Sequence, residues 1–353
     1  MQSIFNHNQP FTLESGATLP GLHLAYTTHG KLNDAGDNVI WIFHALTANS
    51  NPLEWWPGLV GEGKFFDPSR YFIICVNKPG SPYGSISPLS INPATGEPYY
   101  HSFPFFSILD MIRSYQLLRE SLGIRRIHAA LGGSTGGMQL LEWAIEEPEL
   151  FEHIVPIATN AVLSPWAIAF NASQRMAIEA DATWTLAKPD AGQRGLAAAR
   201  SIALLSYRHY NGYEITQPRN KSFVPLTAES DYAADNYQRY QGLKLVNRFN
   251  ALCYYRLTQS MDSHDVGRHR DGVVAALKRI TARTLVIGIE SDVLYPITEQ
   301  EFLVNNIPQA RLLRIASDFG HDGFLLEYEK IENALREFIQ AKTSSSHLKI
   351  VNE

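Results

Sequence analysis

The chain has 353 residues, with 30 Lys and Arg against 35 Asp and Glu for a formal net charge of −5, and 45% of it is hydrophobic. That balance describes a globular protein and supplies no basic footprint, which argues against partners such as nucleic acid or an anionic membrane. The length fits either two domains or one α/β domain carrying an insertion.

The amino-terminal MQSIFNHNQPFTLESG has no basic stretch followed by an apolar one, and no apolar run approaches the roughly 18 residues of a membrane span. A soluble, cytoplasmic protein is therefore expected. VIWIFHAL (39–46) and YFIICVN (71–77) are continuous apolar runs of strand length, as expected of strands covered on both faces. Cys75 lies in the second run and Cys253 among aromatics far downstream, which excludes a disulfide scaffold or a cysteine metal site, and no bound metal is expected. The Gly/Pro/Ser-rich stretch from Lys78 to Tyr99 is too long for a simple connection and reads as a loop lining a site.

SILDMIRSYQLLRESLG (107–123) predicts a helix stopped at Gly123, RIHAALGG (126–133) a strand, MQLLEWAIEEP (138–148) a helix and HIVPIA (153–158) a strand. Repeated strand–helix–strand order implies a mostly parallel sheet. Between 162 and 270 the rhythm gives way to helices: WAIAFNASQRMAIEA, GLAAARSIALLSYRHY and one long helix through NYQRYQGLKLVNRFNALCYYRLTQSM. The alternation resumes with VVAALKRI (273–280), the strand TLVIGI (284–289), the helix TEQEFLVNNI (298–307), the strand ARLLRI (310–315) and one helix over 322–342. The organisation read from this is an α/β core of 1–161 and 271–342, a helical lid at 162–270 and a frayed tail at 343–353. Two glycosylation-like triplets, at Asn171 and Asn220, read as chance matches without a secretion signal.

Gly132-Gly133-Ser134-Thr135-Gly136 fits G-x-S-x-G between an apolar strand and a helix, the context of a nucleophile elbow. The same glycine-rich turn is also a candidate phosphate cradle at a helix amino end. A serine hydroxyl needs a base, and the base an orienting acid. Asp292, with Glu290 as the alternative acid, follows TLVIGI, and His321 follows ARLLRI in a Gly-flanked loop. Both fall where parallel strands present their carboxyl ends. The order Ser134, Asp292, His321 is that of α/β-hydrolases. An oxyanion would rest on the backbone N–H groups of Thr135 and of Leu46, in a His44-Ala45-Leu46-Thr47 segment that otherwise reads as an ordinary strand-ending turn.

At these residues the chain resembles the homoserine O-acyltransferase family of α/β-hydrolase enzymes, chiefly the homoserine O-acetyltransferases of methionine biosynthesis. The resemblance is carried by HALT, WWPGLVGEGKFFDPSRYFIICVN, SINPATGEPY, FSILDMIRSYQLL, GGSTGGMQLLEWA, SQRMAIEAD, ARSIALLSYR, YQGLKLVNRFN, SDVLYP and GHDGFLLE, in order through nearly the whole chain. It implies an α/β-hydrolase sheet with a helical lid, and Ser134, Asp292 and His321 as a triad with Leu46 and Thr135 as oxyanion donors. It further implies Arg208 on the carboxylate and Asp322 on the ammonium of an amino acid, roles that suit an Arg fork and an acid. Read alone, the two are equally a surface arginine and a helix amino-end acid. Acetyl-CoA as co-substrate, L-homoserine as acceptor, a ping-pong acyl-serine path and a lid-mediated homodimer follow from the same resemblance, with no bound cofactor. A succinyl donor, a serine acceptor and a serine ester hydrolase are the alternatives. The chain differs from the family run after the 71–77 strand, with Lys78-Pro79-Gly80-Ser81-Pro82 in place of a Leu-Gly-Gly-Cys-like stretch. No strongly basic residue adjoins HALT or the elbow in sequence, which favours acetyl over a carboxylate-bearing donor, with Lys78 and the Arg-bearing lid as cations that could act from a distance.

Overall fold

The computed structural model describes residues 2–219 and 232–340. An eight-stranded sheet comprises β1 (Gln2–His7), β2 (Leu22–His29), β3 (Val39–Phe43), β4 (Phe72–Val76), β5 (Ile127–Gly133), β6 (Phe151–Ile157), β7 (Arg283–Ile289) and β8 (Ala310–Ile315), in spatial order 1-2-4-3-5-6-7-8. β1 and β2 pair antiparallel, as do β2 and β4, and the remaining neighbours are parallel. The mostly parallel sheet is as expected. The amino-terminal antiparallel pair was not anticipated, because QSIFNH is an exposed edge whose side chains alternate only weakly in polarity.

β3 and β4 are apolar at every position because both of their faces are covered. Trp41 and Phe43 of β3 pack on one side with Tyr115 and Trp143, and the Trp41 and Trp143 rings meet edge-on at 4.8 Å. Ile40 and Ile42 face the other side with Trp56, Phe66 and Leu335. Helix α1 (Ile108–Ser121) starts where the sequence predicts, since Ser107 and Asp110 form a reciprocal capping box, and it is followed by Gly123 at φ +68°. Helix α2 (Thr135–Glu146) begins immediately at the elbow.

Between β6 and β7 the described residues hold helices α3 (Pro165–Glu179), α4 (Gln193–Tyr207), α5 (Tyr210–Thr216), α6 (Ala233–Val246) and α7 (Ala251–Asp262), then a short turn of helix at Val273–Leu277. Two expectations are corrected here. The run expected as one helix across 236–261 is broken at Asn247–Asn250, where the Asn250 side chain caps α7 by accepting from the Cys253 amide at 3.1 Å. The SYRHY run also breaks, leaving Arg208 and His209 extended between α4 and α5.

After β7 comes α8 (Ile297–Asn306). The helix expected over 322–342 is instead a 3-10 turn at Gly320–Asp322, a short helix at Gly323–Leu326 and α9 (Tyr328–Gln340). Asn171 is buried and donates to Asp262 Oδ1 at 2.8 Å, so that triplet is not presented for glycosylation. The Asn220 triplet and the tail at 343–353 lie outside the described residues. Among those residues no helix is long and apolar enough to cross a membrane.

Candidate active site

The chain direction splits at the sheet centre: β4 lies on one side of β3 and β5 on the other. Such a switch point opens a crevice at the carboxyl ends of the two strands. The segment after β3 carries Leu46, and the turn after β5 carries Ser134. Ser134 sits at φ 56°, ψ −124°, a conformation that non-glycine residues rarely take and that lifts the side chain out of the strand line. The flanking glycines are steric requirements. A Cβ on Gly132 would overlap the backbone of Gly136, and one on Gly136 would overlap the carbonyl of Phe43.

His321 and Asp292 are both buried, and the Asp292 Oδ2 accepts from His321 Nδ1 at 2.7 Å. The other oxygen, Oδ1, accepts from the amides of Leu294 at 2.8 Å and Tyr295 at 2.9 Å, so the carboxylate cannot swing away. Burial alone would lower the His321 pKa, but the Asp292 charge and hydrogen bond, together with the Asp322 charge, outweigh it and hold the value above the ordinary 6.5. The rings of Tyr295, Phe324 and Tyr207 enclose the imidazole at 5.1, 5.4 and 5.6 Å. Glu290, the alternative acid, lines a separate groove with Ser317 and Phe319 and does not meet the histidine. Ser134 and His321 line one cavity without a direct hydrogen bond between them, a looseness common before substrate binds.

That cavity, about 510 Å³, is also lined by Leu46, Arg208 and Asp322. Thr135 opens α2, where the first amides have no intrahelical acceptor, and Leu46 lies across the crevice. Arg208 and Asp322 meet each other at 3.2 Å, and Arg208 also donates to the Tyr237 hydroxyl at 3.2 Å. The Arg208 Nε is buried with no partner, leaving a donor ready for an anion. The break after α4 explains this placement. Gly320, at φ +62°, packs so tightly on the backbone of Arg208 and His209 that a Cβ would not fit, and this fixes the arginine beside the histidine loop. Arg200, Lys244 and Arg248 add three more cations to the wall, against Glu54 and Asp322.

Some of the site escapes the sequence reading. The Trp55-Trp56 pair, which carries part of the family resemblance, also braces the site: Trp56 Nε1 donates to the Phe324 carbonyl at 3.1 Å and so holds the segment after His321. Arg248 reaches from the break between α6 and α7 to the Thr47 carbonyl and, at 2.8 Å, to the Tyr83 hydroxyl, which ties the helical segment to the Leu46 loop. Lys78, which the sequence offers only as a cation at a distance, is brought against the elbow residue itself. Lys78 Nζ lies 3.2 Å from Thr135 Oγ1 and 2.9 Å from the His44 carbonyl, although it does not line the cavity itself.

A family model described as the alpha/beta hydrolase fold matches residues 38–328. The homoserine O-acetyltransferase of Cyclobacterium marinum is 47% identical over 337 residues, covering 96% of this chain and 95% of that one. That of Salinibacter ruber is 42% identical over 329 residues, covering 91% and 93%. The crystal structure of homoserine O-acetyltransferase from Bacillus anthracis superimposes with a TM-score of 0.89 at 27% identity, covering 98% of this chain and 99% of that one. A strand order of 1-2-4-3-5-6-7-8, a serine elbow and relatives of this closeness over nearly the full length agree: the chain belongs to the homoserine O-acetyltransferase family of the α/β-hydrolase fold.

Proposed function

We propose that the protein transfers an acetyl group from acetyl-CoA to the side-chain hydroxyl of L-homoserine through an acyl-serine intermediate, a step of methionine biosynthesis carried out in the cytoplasm. The observation that carries this reading is the meeting of Ser134 and His321 with the Arg208–Asp322 pair in one cavity. A nucleophile and base alone serve any ester. A cation and an anion 3.2 Å apart beside them select a zwitterionic acceptor, whose carboxylate and ammonium replace the pair's contact with each other. The cationic wall suits a co-substrate bearing phosphates.

Because Nδ1 of His321 is held by Asp292, Nε2 is the nitrogen free to act as base. It takes the Ser134 proton as Oγ attacks the thioester carbonyl, and the oxyanion rests on the amides of Leu46 and Thr135. The C–S bond breaks, and the thiol leaves with the proton from Nε2. Homoserine then gives its hydroxyl proton to Nε2 and attacks the acyl carbonyl, and Ser134 recovers its proton on release. The relatives' names support the acetyl donor.

Initial rates with both substrates varied test the reading. Parallel double-reciprocal lines are expected, and intersecting lines argue against the covalent intermediate. In the same experiment Arg208→Lys, which keeps the charge but loses the fork, raises the KM for homoserine about 10- to 100-fold and leaves that for acetyl-CoA nearly unchanged. An equal rise in both would remove Arg208 from acceptor binding.

Residues 162–270 act in this reading as a lid over a core of 1–161 and 271–342, and as the contact between two copies. The support is the number of large apolar side chains that helices α3 to α6 expose, among them Trp166, Met176, Leu205, Tyr240 and Leu243. A solution mass of twice 39.6 kDa is expected, and a monomer at working concentration would refute the pairing.

A further inference from the structure

Lys78 opens the loop after β4 and, among the described residues, no other lysine is buried. Its ammonium has no carboxylate within ion-pair distance among those residues. It donates to two neutral acceptors, the His44 carbonyl at 2.9 Å and Thr135 Oγ1 at 3.2 Å, and its own amide donates to His44 Nε2 at 3.3 Å. An ammonium removed from water without a counter-ion is costly, so a residue needed only to fill this space would be apolar. Its two acceptors are also particular. His44 stands two residues before Leu46, and Thr135 follows the nucleophile, so one side chain spans the two segments that carry the proposed oxyanion amides.

We propose that Lys78 is a positioning residue for acyl transfer, its buried ammonium tying the Leu46 loop to the elbow residue Thr135 so that both amides, with a positive charge behind them, meet the oxyanion. This rests on the acyl-serine reading above. The lysine touches neither substrate nor the reacting atoms. It fixes the separation of two donors whose alignment sets the rate, and a misplacement of about 1 Å at such a site costs on the order of 100-fold.

The titratable groups facing Lys78 are few. His44, after β3, is kept neutral by burial and by the lysine itself. Cys75, on β4, is kept as a thiol by burial. Burial draws the Lys78 pKa down to about 7. The charge is thus present below neutrality and is lost as the pH rises through that value. His321 has the opposite requirement, since it must lose its proton to act as base.

The test compares Lys78→Met, Thr135→Val and Ser134→Ala with the parent protein. It reads the pre-steady-state rate of acylation by acetyl-CoA between about pH 5.5 and 9, together with the melting temperature. In the parent, acylation rises as His321 is deprotonated and falls as Lys78 is, giving a maximum near neutrality. In Lys78→Met the rate drops about 10- to 100-fold with little change in the KM for acetyl-CoA, the falling limb disappears, and the melting temperature is unchanged or higher. Thr135→Val, which cuts one of the two ties and keeps the lysine, gives a drop of about tenfold. Parental rates and pH profile in Lys78→Met overturn the proposal. So does a lower melting temperature with the falling limb retained, which marks a merely structural lysine. If Ser134→Ala still acylates, it is the acyl-serine reading that fails, an outcome separate from either of these.

Discussion

Replacing Ser134 with alanine is expected to lower acyl transfer by about four to six orders of magnitude, close to 5.5–8 kcal/mol of transition-state stabilisation, while the protein stays folded. The size follows from the role. Without Oγ no acyl-enzyme forms, and what remains is whatever the Leu46 and Thr135 amides and substrate binding do for direct attack by the acceptor. The fold survives because the Ser134 side chain makes no capping hydrogen bond to α2, and the strained φ of 56° is a cost that alanine bears as serine does. Loss of labelling by a fluorophosphonate, with an unchanged melting temperature, is the direct check. The variant also separates the two readings that the glycine-rich turn leaves open in sequence. A phosphate cradle is made of backbone amides, which alanine leaves in place. A Ser134→Ala protein that kept its turnover would therefore abolish the nucleophile role and favour the cradle.

The parts legible in the sequence are those whose physics is local. The runs at 39–46 and 71–77 announce central strands because sheet faces covered on both sides leave no polar position, and the capping residue Ser107 and terminator Gly123 bracket their helix within a residue or two. The triad candidates are legible because a parallel sheet presents its strand ends in a fixed order, so spacing along the chain becomes position in space. What escaped depends on contacts between distant segments. Nothing in SYRHY breaks a helix by propensity, and in NRFN the local signal is Asn250, whose side chain caps α7. The breaks are held by Gly320 against the Arg208 backbone and by Arg248 reaching the Thr47 carbonyl. The contact of Lys78 with Thr135 escaped for the same reason, since the two lie 57 residues apart in sequence and become neighbours only through β4, β3 and β5 lying side by side. The cation that the sequence offers only at a distance reaches the elbow from two strands across the sheet.

Asp292→Asn is expected to lower kcat by about 10⁴ at neutral pH with the site's shape retained, a loss that reports a proton in the wrong place. Asp292 Oδ1 accepts from the Leu294 and Tyr295 amides, and an asparagine meets that demand only with its single carbonyl oxygen. Its NH₂ must then take the position of Oδ2, 2.7 Å from His321 Nδ1 in the parent. There it donates where the carboxylate accepted, and Nδ1 becomes the unprotonated nitrogen. Nε2 now carries the hydrogen and cannot receive one from Ser134. The largest charge that raises the His321 pKa is also gone, so that pKa falls below its parental value. Raising the pH does not restore the base, because the fault lies in the tautomer and not in the titration. Two results would sink this. A mild loss in Asp292→Asn beside a large one in Glu290→Gln would make Glu290 the orienting acid, against its place in a separate groove. Recovery of parental turnover on raising the pH by two units would show that the fault titrates, and so does not lie in a tautomer fixed by the amide.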